Sequence, residues 1–383
     1  MHDSRDDRDR PDSLVMVAAN SFWNIANFRS GLIGALTSRG FRVLVVAPGI
    51  DRPALAQMGA EGEEVEVDRS GLNPLRDTRL MLDYLRLMRR HRPRYWLSFT
   101  AKPNIYGALA ARLAGVASLP NISGLGTAFI RGGLLGSLVA GLYRLALRDA
   151  QAVFFQNPED RDLFASRHLV TAAKARLLPG SGIDLERFAP SDAPESHPVR
   201  FLLIGRMLAD KGVRDFAEAA KMLIPCHPEW RFQLLGPIDE GNRSGLSRAE
   251  IDSWVKEGLV EYLGSVDDVR PAISAATAVV LPSYREGLPR SLLEAAAMAR
   301  PLIATDVPGN RQLVDHRVNG LLCEARNAGS LAGAMRQLGE MADGERAAMG
   351  RAARAKVEKE YSESRVIEAY LAELGKPQPV QRG

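Results

Sequence analysis

Cysteine is almost missing from this 383-residue chain, which holds Cys226 and Cys323 and no others. The two form no C-x-x-C and cannot build a disulfide framework, so a reduced compartment and two ordinary buried thiols are expected. Histidine is scarce too. There are six, with no H-E-x-x-H and no His/Cys cluster, which argues against a zinc site. No uncharged stretch reaches the ~20 residues of a membrane span. A signal peptide is not visible. Met1–Pro11 alternates Asp and Arg without an apolar core, and residues 1–12 read as a disordered tail. Nucleic-acid-binding motifs are lacking as well.

What is present suits two α/β domains. Hydrophobic residues make up 46% and charged residues 25% of the chain, a globular balance, and the length exceeds that of one ordinary core. The net charge of +4 falls wholly in residues 1–195, as expected if the first half meets an anionic surface. Strand-like runs alternate with helical ones. Leu14–Val17, Phe41–Ala47, Glu64–Val67, Tyr95–Phe99, Leu119–Ile122 and Ala152–Phe155 read as the strands of a first Rossmann-like sheet. A helix is expected from near Asn24 to Arg39. Residues 180–198, rich in Gly and Pro, read as a hinge. The pattern then restarts at Arg200–Ile204 and continues through Phe232–Leu235, Glu261–Leu263, Ala278–Leu281, Leu302–Ala304 and Leu321–Cys323. The expected domains are 13–190, 199–360 and a closing helix, 361–375.

The chemistry concentrates in S-Y-R-E-G-L-P-R-S-L-L-E-A-A-A-M-A-R-P, residues 283–301. A buried strand precedes it, and a helix opens near Pro289. A helix N-terminus at the carboxyl end of a parallel strand is where open α/β sheets bind phosphorylated ligands. Glu286 and Glu294 repel phosphate but suit the hydroxyls of a sugar or a ribose. An isolated pair of glutamates eight apart is more often a solvated loop residue and a helix-surface charge. Arg206 and Lys211, in G-R-M-L-A-D-K-G, stand across another strand-to-helix turn, where two cations could hold a diphosphate and stabilise it as a leaving group. Alone, that pair reads as a surface salt bridge. Together with the glutamates about 80 residues on, the functional reading becomes the better one.

G-R-M-L-A-D-K-G, L-G-S-V-D-D-V (263–269), R-E-G-L-P-R-S-L-L-E-A-A-A and P-L-I-A-T-D-V-P-G-N (301–310) together resemble the C-terminal half of a family-four retaining glycosyltransferase with the GT-B fold. That fold has two Rossmann-like domains with a cleft between them and a last helix that crosses back to the first. The resemblance implies that Arg206 and Lys211 clamp the donor diphosphate and that Glu286 holds donor-sugar hydroxyls as an orienting, electrostatic residue. Glu294 is then left to accept from the ribose, while Gly287, Leu288 and Pro289 contact sugar or phosphate through backbone, and Gly264, Ser265 and Val266 surround the base. It implies no metal and no cofactor, the nucleotide sugar being a substrate, UDP-N-acetylhexosamine or another UDP-hexose.

In the first half, T-A-K-P-N-I-Y-G (100–107) and P-N-I-S-G-L-G-T-A-F (120–129) are similar to a subgroup that extends a sugar on a polyprenyl diphosphate in bacterial polysaccharide and glycan assembly. By that resemblance Lys102 meets acceptor phosphates, Asn104 stands beside it, and Gly124, Gly126 and Thr127 line the approach. The chain departs from many members in lacking a Gly-Gly pair after the first strand and a histidine in a first-domain strand-end loop; Asn27 and Arg29 are the candidates to take over such contacts. Arg86, Arg89, Arg90, Arg92 and Arg94 interleave with Leu85, Leu87, Met88, Tyr95 and Trp96. Leu134, Leu135, Leu138, Val139, Leu142 and Leu145 lie near Arg131, Arg144 and Arg148. Both suggest peripheral docking on the inner face of the cytoplasmic membrane. Two other readings compete: a nucleotide-sugar epimerase on the same architecture, which needs cleft histidines, and a non-catalytic binder of nucleotide sugar.

Overall fold

The computed structural model describes residues 14–68, 73–124, 133–190 and 198–375; the expected tail, Gly126 and Thr127 lie outside them. The chain divides into two compact units, residues 1–182 with 363–383, and residues 183–362.

The first unit holds a seven-stranded sheet in the order β3-β2-β1-β4-β5-β6-β7. Its strands are β1 (Leu14–Ala18), β2 (Arg42–Val46), β3 (Glu61–Glu63), β4 (Tyr95–Ser98), β5 (Ala117–Ile122), β6 (Val153–Phe155) and β7 (Ala175–Leu177). Every pairing is parallel. Parallel strands covered on both faces need near-continuous apolar sequence, and Leu14–Ala18 is buried at every position. The strand expected at Glu64–Val67 forms instead at Glu61–Glu63, where alternation is weaker. The helix expected from Asn24 to Arg39 is two helices, Phe22–Phe28 and Ser30–Ser38, broken at Arg29 with φ −133°. Arg29 is itself buried, its guanidinium 4.0 Å over the Phe99 ring.

The second unit holds a six-stranded parallel sheet in the order β10-β9-β8-β11-β12-β13. These strands are β8 (Arg200–Ile204), β9 (Arg231–Leu235), β10 (Glu261–Tyr262), β11 (Ala278–Leu281), β12 (Leu302–Thr305) and β13 (Gly320–Cys323). Helices pack on both faces of each sheet, the doubly wound plan. This is the two-domain, GT-B architecture expected.

The boundary expected at residue 190 falls at Gly182. Ile183 and Phe188 are buried with Leu292, Leu293 and Val357 of the second unit. The chain crosses back at Ser362–Glu363, where the helix Glu363–Leu374 joins the first unit. Tyr370, fully buried, packs on Phe154 at 4.4 Å and accepts a hydrogen bond from the Asn121 amide at 2.8 Å. Tyr95 donates to the carbonyl of Leu374. Alanine at Tyr370 is therefore expected to destabilise the first unit by about 3–5 kcal/mol through lost burial and an orphaned amide, read as a lower urea midpoint for that unit.

Candidate functional site

In a doubly wound sheet the ligand crevice lies outside the carboxyl ends of the strands, where the strand order reverses. In the second unit that point is between β8 and β11. The loop after β8 carries Arg206 and Lys211; the loop after β11 carries Glu286. The structure brings two of these into contact, with Lys211 Nζ 2.5 Å from Glu286 Oε1. The same carboxylate oxygen accepts from Ser283 Oγ at 2.6 Å. Ser283 is buried, and its carbonyl accepts from the Thr305 hydroxyl. Glu286 is thus a positioned carboxylate, not a solvated loop charge.

Two glycines let these loops close on each other. Gly212 has φ +71°, and a Cβ there would lie 2.1 Å from the carbonyl oxygen of Pro282. Gly309, φ +86°, would place a Cβ 2.5 Å from the carbonyl oxygen of Gly287. Backbone meets backbone on both sides of residues 282–287, which no side chain could permit.

The remaining expected groups stand at the same edge with partners of their own. Arg206 pairs with Asp239, on the loop after β9, at 3.1 Å, and its side chain is 54% exposed. An exposed pair of this kind is weak, so Arg206 can exchange Asp239 for a phosphate at small cost. Glu294 lies in the helix Arg290–Ala297 and pairs with Arg290 at 2.9 Å. Pro289 is the cap of that helix, one place before the expected position. Gly264, with φ +75°, accepts at its carbonyl from the Gly236 amide at 2.7 Å. Beside it Leu263 and Val266 are 41% and 46% exposed, an apolar surface at a strand end. Ser265 is exposed; Gly287 and Leu288 are half-buried in the loop.

Burial holds the Glu294 carboxyl above the ordinary glutamate range, with Arg290 pulling the other way. The ionised form is therefore carried at a cost in the folded protein. The cost is absent below the ordinary glutamate pKa and complete above the raised one. Glu294→Gln is expected to raise the urea midpoint near pH 8 and to leave it unchanged below about pH 4. Loss of the charge is expected to weaken nucleotide-diphosphate binding about tenfold. Stability unchanged at both pH values would contradict the first outcome, and calorimetry with UDP checks the second.

The first unit is arranged differently from expectation. Its strand order reverses between β1 and β4, and the segments after those strands carry Asn27, in the helix Phe22–Phe28, Arg29 at its end, and Lys102 and Asn104 at the start of a helical stretch. Lys102 is 2.7 Å from the Asp77 carboxylate, with its side chain 13% exposed, and Tyr106 donates to the other oxygen at 3.0 Å. The ammonium is thus neutralised inside the unit rather than held out for acceptor phosphate. Asn104 is buried and donates to the carbonyl of Asn121 at 2.7 Å. Arg29 is covered by Phe99. Asn27 is half-buried and donates to the carbonyl of Trp23, whose side chain is 63% exposed. Gly124 is half-buried with open space where a Cβ would be.

The basic and apolar interleave at residues 85–96 resolves into an inner and an outer face. Leu85, Met88, Tyr95 and Trp96 are core, while Arg86 and Arg90 are exposed and paired to Asp83 and Glu63. On the helix Gly133–Leu147, Val139 and Tyr143 are buried; Leu138 and Leu145 are 56% and 47% exposed. Among the described residues no helix is long and apolar enough to cross a membrane.

Sequence reasoning missed Asp77, Asp239 and the anchoring role of Ser283. An acid in a first helical turn, such as Asp77, reads as an ordinary complement to the helix dipole.

Both units match families of known proteins. Residues 198–340 match the family model "Glycosyl transferases group 1", and residues 25–181 match "Glycosyl transferase 4-like domain". A Campylobacter jejuni protein, N,N'-diacetylbacillosaminyl-diphospho-undecaprenol alpha-1,3-N-acetylgalactosaminyltransferase, is 28% identical over 80% of this chain and 84% of its own. An Escherichia coli protein, UDP-Gal:alpha-D-GlcNAc-diphosphoundecaprenol alpha-1,3-galactosyltransferase, is 26% identical over 68% and 70%. Among solved structures, Anabaena HepE in complex with UDP and glucose superposes with a TM-score of 0.77 at 19% identity, over 94% of this chain and 98% of that one. Sucrose-phosphate synthase from Thermosynechococcus elongatus superposes with the same score and identity, over 94% and 97%.

Proposed function

We propose, from the premise that this chain belongs to the group 1 glycosyl transferases, that it moves a hexose or N-acetylhexosamine from a UDP-sugar to a saccharide carried on a polyprenyl diphosphate, with retention of configuration. The observation that carries the donor half is the Lys211–Glu286 contact at the point where the strand order reverses. An ammonium has three donors. Lys211 can therefore keep Glu286 and still bind a phosphate oxygen, while Arg206 leaves Asp239 for the same diphosphate. As the bond from the anomeric carbon to phosphate breaks, negative charge grows on the leaving oxygen, and these cations stabilise it. An acceptor hydroxyl forms the new bond on the face the phosphate leaves, and its proton passes to that phosphate. Glu286 orients the sugar hydroxyls, Glu294 accepts from the ribose, and the exposed Leu263–Val266 edge lies against the base. The loop amides of Gly287 and Leu288 reach the sugar or its phosphate.

The acceptor half is supported by the two curated relatives, whose names specify undecaprenyl-diphosphate sugars. Asn27 and Gly124 are the first-unit positions left open for it. Exposed Leu138 and Leu145, with the basic surplus of the first half, support seating on the inner face of an anionic membrane. An epimerase is disfavoured, because both matching family models and the two relatives named above are glycosyl transferases. The deciding experiment incubates the enzyme with a panel of UDP-sugars and a short-chain polyprenyl-diphosphate monosaccharide, read by mass spectrometry. A disaccharide product is expected. A donor altered without any acceptor, or bound without turnover, would replace this function with one of the alternatives.

A further inference from the structure

Asp215 lies in the first turn of the helix Val213–Leu223, directly after the loop that carries Lys211. Its carboxylate accepts a hydrogen bond from the Tyr284 hydroxyl, while its Oδ2 is buried with no hydrogen-bond partner. Tyr284 stands two residues before Glu286. The Arg326 guanidinium, from the loop after β13, lies 4.6 Å over its ring, a cation–π contact. The Tyr284 backbone amide donates to the carbonyl of Asp210 at 3.0 Å. One ring is therefore held by its hydroxyl, its face and its backbone to the two segments that flank Lys211 and to a third strand-end loop.

Surface placement does not account for this. Asp215 is half-buried, and a carboxylate oxygen buried without a partner costs stability; burial raises the Asp215 pKa, with Tyr284 and Arg326 opposing. Polar groups kept at such a cost gather where geometry has to be held. We propose that Asp215, acting through Tyr284, is a positioning residue that sets the register between Lys211 and Glu286. It ties the helix behind the cation to the loop that bears the carboxylate. The assay chosen below rests on the donor chemistry proposed above; the structural readout does not.

Asp215→Ala and Tyr284→Phe each remove the tie and leave the ammonium and carboxylate in place. Each is expected to lower kcat for UDP-sugar turnover about 10- to 100-fold, the penalty of misplacing a catalytic group by about 1 Å. Donor KM should stay within about twofold, and the double variant should be no worse than either single one. Asp215→Asn, whose amide oxygen still accepts from Tyr284, should retain most activity. In the crystal structure of Asp215→Ala, Lys211 Nζ and Glu286 Oε1 should lie beyond about 4 Å. A pair still in contact in that structure overturns the proposal, whether or not any donor is turned over. So do wild-type kcat with a lowered melting temperature, which marks plain packing, and additive losses in the double variant. A wild-type enzyme inert toward every nucleotide sugar would sink the function proposed above and leave the distance to decide this one.

Discussion

Alanine at Lys211 is expected to lower kcat for sugar transfer by about two to three orders of magnitude, the cost of removing one preorganised group from a developing charge. The argument rests on placement. The ammonium stands at the end of β8, is 26% exposed and contacts Glu286 at 2.5 Å. A cation already held in a half-buried site needs little reorganisation when charge appears on the leaving phosphate. Glu286→Ala is expected to give a loss of similar size, because it releases Lys211 and Ser283 together with the sugar hydroxyls of the proposed role. The two residues act as one unit, so the double variant is expected to be little worse than either single variant. Steady-state kinetics of the three variants with one UDP-sugar and one lipid-linked acceptor provide the check. Losses that multiply would mean that the pair acts independently, and near-wild-type turnover in all three would remove the site.

Gly212→Ala is expected to be as damaging by a different route. The residue has φ +71°, and a Cβ there would come within 2.1 Å of the Pro282 carbonyl oxygen. The left-handed conformation alone costs an L-residue about 1–2 kcal/mol. The obstacle is backbone, so relief requires the 282–287 loop to move, and Glu286 moves with it. A total destabilisation of about 2–4 kcal/mol is expected, with transfer activity lost along with the geometry. Gly333 offers the contrast. It lies in the helix Ala328–Gly339 with open space around it, and Gly333→Ala should stabilise by up to about 1 kcal/mol. Denaturant curves and activity for the two variants separate backbone crowding from a general intolerance of alanine.

Much of the molecule was legible without coordinates, for identifiable reasons. Buried parallel strands need uninterrupted apolar runs, so β1, β2, β8, β11 and β12 stand out as Leu/Ile/Val-rich segments bounded by polar turns. The helix that returns to the first unit could be read from the apolar residues in 361–374. Its real start is Glu363, because Tyr361 still belongs to the second unit's core. What sequence spacing did not carry was which partner each charge would choose. Lys102 and Lys211 each follow a strand on one side of a strand-order reversal. Yet Lys102 meets Asp77 and is neutralised within its unit, whereas Lys211 meets a carboxylate that Ser283 also holds in place. Leu85 and Trp96 read as membrane contacts or as core until the helix Pro74–His91 and β4 are seen to turn them inward.

By itself, then, the order of residues determined the two doubly wound sheets and the strand-end segments on which reactive side chains sit. All of these follow from local periodicity and from glycine or proline at strand ends. Tertiary structure alone decided that Lys211 and Glu286 touch, that Asp215 reaches Tyr284, and that Arg29 and Lys102 are covered. Residues about 25 to 75 positions apart meet only when strands pair in register, and the dielectric around a charge is set by that packing rather than by its neighbours in the chain.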